Sequence, residues 1–173
     1  LAKGDKNQAL ATAREAVDAN PDSPAALDLL GTTQLALGDT TNALGSYRKL
    51  VERLPRQAAP LVKLASVQIV AKDLPAARKT LQSALRIQPD FLEAQLMLGG
   101  VEIQGTRLDE AHKLAKQVQQ LKPDNPAGLV LAGDTALARK DYPAALAAFE
   151  RAHKLDPSGA LLIRQLQVFN ATQ

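Results

Sequence analysis

The chain has 173 residues, of which 46% are apolar and only 3% aromatic, with a formal net charge of +3 and no cysteine. These values exclude disulfides and thiolate metal sites, and a core drawn from alanine and leucine suits close-packed helices better than sheets. No run of 18 apolar residues is available to span a membrane as a helix, and the opening LAKGDKNQAL lacks the apolar stretch of a signal peptide.

Read in chain order, the punctuation is periodic. Pro21, Pro55, Pro89, Pro123 and Pro157 are 34 residues apart. Proline stops a helix because it lacks an N–H and clashes with the preceding turn. Five stops at one spacing therefore describe one structural unit used repeatedly. With proline as position 32, the chain divides into a half repeat 1–23, full repeats 24–57, 58–91, 92–125 and 126–159, and a last helix within 160–173.

The half repeat predicts a helix at about 5–19, with Leu1-Ala2-Lys3 as the tail of an earlier one. Each full repeat then predicts two. First helices open at Ser23-Pro24 and Asn125-Pro126, an N-cap followed by proline at N1, and at Asp90 with Glu93, a capping-box pattern. Second helices open at Gly38-Asp39, Lys72-Asp73, Thr106 and Lys140-Asp141, with Pro75 and Pro143 in the first turn. Arg53, Arg86, Lys122 and Lys154 fall near their C-termini, where cations complement the helix dipole. Residues 160–171 form a final unpaired helix with Leu162, Ile163, Leu166 and Phe169 apolar, placed to act as a cap.

Small residues recur at position 8 (Gly31, Ala65, Gly99, Gly133) and alanine at position 20 (Ala9, Ala43, Ala77, Ala111, Ala145). Glycine within a helix costs about 1 kcal/mol relative to alanine, so its recurrence implies a compensating close approach, expected of position 8 against position 20. Position 24 carries Ala13, Tyr47, Leu81, Ala115 and Phe149, and position 27 carries Ala16, Leu50, Ala84, Val118 and Ala152.

This pattern resembles the tetratricopeptide repeat (TPR) over essentially the whole chain. The unit from Pro126 to Gly159 shows it best, with Leu129, Gly133, Tyr142, Ala145, Phe149, Ala152 and Pro157 at the family positions. The resemblance implies an all-α fold, a right-handed α-solenoid of antiparallel helix pairs, as a single array across 1–173 cut from a longer one. One departure stands out. Position 11, usually large and apolar, is Gln34, Gln68, Glu102 and Ala136, while position 12 is Leu35, Ile69, Ile103 and Leu137, as if the apolar stripe were rotated by one residue.

In such proteins first helices line a concave groove. Carried over, positions 5 and 9 place Asp28, Thr32, Val62, Ser66, Leu96, Gly100, Val130, Asp134 and Arg164 there, with Glu93 nearby and Val168 at position 9 of the last helix. The lysines and asparagines of the family's clamp for chaperone C-termini are absent from positions 5, 9 and 13. An apolar centre (Val62, Leu96, Val130) with acidic spots (Asp28, Glu93, Asp134) suits an amphipathic helix or an apolar peptide with some basic residues, although position 5 also serves helix packing.

More narrowly, QPDFLEAQLMLGG, LKPDNPAGLVLAGD and ARKDYPAALAAF look like the PrsT family of TPR lipoproteins, which accompany exosortase and PEP-CTERM protein sorting in Gram-negative bacteria. That likeness implies a cell-envelope setting; without it a cytoplasmic one is expected.

No catalytic residues, metal site or cofactor are expected. His112 and His153 have no zinc-motif spacing, and Gly99-Gly100 is mid-helix, outside any phosphate loop. Basic residues such as Arg48, Lys49, Arg78, Lys79, Lys113, Lys116 and Arg151 are spread along second helices as a solvated face, without interleaved aromatics, which disfavours nucleic acid. The expected partner is a protein or peptide. An apolar face left bare at the N-terminal end would add end-to-end self-association, and the alternative function is a structural or self-assembling element acting through its ends and edges.

Overall fold

The computed structural model describes residues 3–157 and 159–171, and among these every regular element is an α-helix. They run α1 (Lys3–Ala19), α2 (Pro24–Ala36), α3 (Thr40–Arg53), α4 (Ala58–Val70), α5 (Leu74–Ile87), α6 (Leu92–Gln104), α7 (Leu108–Leu121), α8 (Ala127–Ala138), α9 (Tyr142–Leu155) and α10 (Gly159–Ala171). Lys3 begins α1 instead of ending an earlier helix; Leu1 and Ala2 lie outside the described residues. The helices form two compact units, Leu1–Pro89 and Asp90–Gln173.

In the first unit α2 pairs with α3 and α4 with α5, while α1 packs on α2. Its core gathers Leu27, Ala43, Tyr47, Leu50, Leu64 and Val67. In the second, α6 pairs with α7 and α8 with α9, and α10 lies on α9. Its core includes Ala145, Phe149 and Val168, with Leu129, Ala152 and Leu161 alongside. These are the helix pairs that the 34-residue period implies.

The turn within each pair is one device built four times. Gly38, Lys72, Thr106 and Lys140, again 34 residues apart, adopt φ of 79°, 62°, 58° and 61°. The next residue's N–H reaches back five residues: Asp39 to Gln34, Asp73 to Gln68, Arg107 to Glu102 and Asp141 to Ala136, at 2.8–2.9 Å between N and O. The left-handed residue bonds the carbonyl three back, completing a Schellman motif. Asp39, Asp73 and Asp141 then cap the second helix, accepting from the N–H three residues on.

Three expectations at helix starts are corrected. Phe91, not Asp90, holds the N-cap of α6, and no side chain caps it, so the Asp90–Glu93 capping box does not form. Arg107 occupies the N-cap of α7 and offers no cap bond. Ser23 caps α2 through Ala26 as expected, but at α8 Pro126, not Asn125, holds the N-cap and no side chain caps it; Asn125 lies one residue earlier and accepts from the Ala127 N–H at 2.9 Å.

The packing of position 8 also differs from expectation. A Cβ on Gly31 would lie 2.9 Å from the Tyr47 ring, and one on Gly133 would overlap the ring of Phe149. Both rings belong to position 24, so the close approach is to position 24 and not position 20. Where position 24 is Leu81, position 8 is Ala65, and both are fully buried. Gly99 makes room instead for Leu131, at 2.5 Å from a would-be Cβ.

Nor is the apolar stripe rotated at position 11. Gln34, Gln68 and Glu102 are 6%, 7% and 1% exposed, whereas Leu35, Ile69, Ile103 and Leu137 are only half-buried. In the first three full repeats position 11 remains interior and is polar: Ser46 donates to Gln34 Oε1 at 2.7 Å, and Arg107 Nε pairs with Glu102. The latter pair joins two residues whose backbones the Schellman motif already links, and Arg107 makes no cap bond because a guanidinium has no acceptor.

Candidate functional site

The site is built from the second unit's first helices. Leu96, Gly100 and Ile103 on α6, Val130, Leu131 and Asp134 on α8, and Leu161 and Arg164 on α10 line one cavity of about 440 Å³. Pro126, Ala127, Asp156 and Ala160 complete its wall. These positions fall about one turn apart on each helix and are half-buried, except Leu131 and Leu161, which are buried, while Leu129 and Gly133 of α8 pack inward. Five of the sequence-derived candidates (Leu96, Gly100, Val130, Asp134, Arg164) thus share a cavity; Glu93, exposed in the first turn of α6, does not line it.

Gly100 is the open point of this wall. A Cβ there would meet nothing within 4 Å, unlike those at Gly99 and Gly133 on the packed faces.

The polar groups are few. Arg164 Nη1 pairs with Asp134 Oδ1, joining α10 to α8, with side chains 38% and 27% exposed. The guanidinium also lies 5.9 Å from the centroid of the Phe149 ring. Burial pushes the Asp134 carboxyl above the usual carboxylate range, outweighing the opposing pull of Arg164. Asp156 adds a second, exposed carboxylate.

In the first unit the candidates are arranged differently. Asp28 lines a smaller depression of about 260 Å³ with Pro24, Leu50, Leu54, Pro60 and Lys63. Lys63 Nζ donates to both Asp28 carboxylate oxygens, at 2.5 and 2.6 Å. Thr32 is exposed and exchanges a 2.9 Å hydrogen bond with the Tyr47 hydroxyl. Ser66 donates to the Lys63 carbonyl, and Val62, only 3% exposed, lends almost no surface.

Leu131, Leu161 and Asp156 were not singled out from sequence. Leu131 and Leu161 fall at repeat positions 6 and 2, where no residue was singled out, and Asp156 lies in the turn before Pro157. His112 sits in a separate small cavity with Thr135, Arg139 and Asp141, and His153 is half-buried elsewhere on α9. Among the described residues no three His, Cys, Asp or Glu side chains are placed to hold a metal ion, and no helix is long and apolar enough to cross a membrane.

The tetratricopeptide repeat family model matches residues 34–100 and 71–134, and a second model of that name matches 1–59. No curated protein matches the chain. A thermophilic TPR protein of Thermus thermophilus is 26% identical with a TM-score of 0.78, covering 96% of this chain and 91% of that one. A TPR protein of Parabacteroides merdae is 21% identical with a TM-score of 0.85, covering 96% and 67%. YrrB, described as a TPR protein with an unusual peptide-binding site, is 19% identical with a TM-score of 0.74, covering 95% and 84%.

Proposed function

The chain belongs to the tetratricopeptide repeat family; on that premise we propose that it is a non-enzymatic scaffold for protein–protein interaction that grips a peptide or helix of its partner in the groove of α6, α8 and α10. The observation carrying this reading is the 440 Å³ cavity, walled by Leu96, Ile103, Val130, Leu131 and Leu161 and open beside Gly100. Apolar surface left open on one face, with a few polar groups at its edge, is what a docked segment needs. A peptide-binding site on the similarly folded YrrB supports the same use of the fold.

Gly100→Leu tests it. The new side chain meets no atom of the fold at its Cβ, removes a helical glycine, and fills the cavity. Gly45→Leu on α3, where a Cβ also meets nothing, is the matched control. A labelled peptide of alternating leucine and lysine should lose at least about tenfold in affinity with Gly100→Leu and keep it with Gly45→Leu. Equal binding by both variants would remove the groove from the reading.

The likeness of residues 88–100, 121–134 and 138–149 to the PrsT family supports placing the partner in a bacterial envelope export or protein-sorting system. Recovery of the protein with cytoplasmic and not envelope fractions of its own cells would oppose that placement.

A second reading rests on the outer face of α10. Leu162, Ile163, Leu166 and Phe169 are 47–60% exposed, so this helix presents an apolar face where a capping helix would be polar. In this reading a second copy covers that face. Sedimentation at rising concentration would then show association that Leu166→Glu abolishes; a single monomeric species throughout opposes it.

A further inference from the structure

Resting on the groove reading, we infer that Asp134 is the cation subsite of the α6–α8–α10 groove, that Arg164 occupies it in the unbound protein, and that the partner is a segment with an apolar anchor beside a lysine or arginine that takes Arg164's place.

The cavity's chemistry selects this partner. Its charged lining consists of two carboxylates, Asp134 and Asp156, and one guanidinium, Arg164, so the wall keeps one negative charge after internal pairing. An incoming carboxylate would face both acids. An incoming cation meets a carboxylate held at a fixed point on α8, next to the apolar surface of Val130 and Leu131 that receives the anchor. Asp134 is also incompletely compensated, because its burial outweighs the stabilisation Arg164 provides.

Arg164 is suited to leave. Its side chain is 38% exposed, and its guanidinium already lies 5.9 Å from the Phe149 ring centroid. Released from Asp134 it keeps that cation–π contact and gains water. A side chain confined to one acceptor in the interior would have no such alternative. The exchange therefore replaces one ion pair with another and adds the burial of the apolar anchor, so affinity comes from the anchor and selectivity from the charge.

Three labelled peptides of one glycine–serine frame, carrying Leu-Lys, Leu-Gln or Leu-Glu at the centre, are titrated by fluorescence anisotropy into the full chain and its Arg164→Gln, Asp134→Asn and Gly100→Leu variants. Circular dichroism verifies that each variant is helical. Leu-Lys should bind most tightly. Arg164→Gln should tighten Leu-Lys about threefold to tenfold and leave Leu-Gln within about twofold. Asp134→Asn, which does not depend on the packing of Arg164, should erase the preference for Leu-Lys over Leu-Gln. Tightest binding of Leu-Glu, or weaker Leu-Lys binding by Arg164→Gln, overturns the cation subsite; if Gly100→Leu still abolishes binding, the groove reading survives. Binding of all three peptides that ignores Gly100→Leu overturns both.

Discussion

The ring of Phe149 on α9 fills the space in which a Cβ on residue 133 of α8 would stand. Glycine is therefore required at 133 by the size of its partner across the helix pair. The pair α4–α5 carries the reverse choice at these phases, Ala65 at position 8 and the smaller Leu81 at position 24, both fully buried. Gly133→Ala should destabilise the protein by about 1–2 kcal/mol, the overpacking cost exceeding the gain in helix propensity. In a Phe149→Leu background the same change should be neutral or stabilising. A double-mutant cycle on urea midpoints measures this coupling, and additive effects would contradict it.

Lys72, Thr106 and Lys140 hold a left-handed backbone that Gly38 holds at the same phase of the first full repeat. A Cβ is strained there, while glycine has more freedom to lose on folding. The first effect should prevail, so Lys72→Gly or Thr106→Gly should stabilise by about 0.5–1 kcal/mol and Gly38→Ala should destabilise by about 1 kcal/mol. Thermal melts of the three variants check the pattern.

Glu102 is 1% exposed and pairs with Arg107, the N-cap residue of α7. Removing the guanidinium leaves a buried carboxylate without its cation. Arg107→Ala should cost about 3 kcal/mol, and Glu102→Gln added to it should restore most of the loss. Chemical denaturation of both variants measures the recovery; a double variant no better than Arg107→Ala would show that charge is not the cause.

These residues also show how far the sequence could be read. The proline period, the alanines at position 20 and the Asp caps at 39, 73 and 141 are local signals, and the helix pairs follow from them. The partner of each position 8 glycine was not local: Gly31 and Gly133 face rings, and Gly99 faces Leu131 from another pair. Position 11 misled because buried glutamine and glutamate look like surface residues until Ser46 and Arg107 are seen beside them. Repeat phase places Leu96, Gly100, Val130, Asp134 and Arg164 on first helices, and the family resemblance, not the phase, suggested that they share a groove. That Asp134 and Arg164 pair, and that Val62 is buried while Val130 is not, depends on neighbouring helices.

Burial raises the Asp134 carboxyl above its ordinary value of 3.8, so folding favours its protonated form. The sign follows: this residue's contribution is most favourable below the ordinary carboxylate range and is lost as pH rises through the elevated folded value. Asp134→Asn should therefore raise the melting temperature relative to the native chain more at pH 7 than at pH 3.5. The opposite ordering would mean that pairing with Arg164 outweighs burial.

The most direct test of the groove is to see which methyl groups respond to a ligand. With the chain labelled at leucine, isoleucine and valine methyls, the Leu-Lys peptide should shift Leu96, Ile103, Val130, Leu131 and Leu161, which line the cavity, and leave Leu162, Ile163 and Leu166 of the outer α10 face unmoved. Shifts confined to that outer face, with the cavity methyls unchanged, would contradict the account.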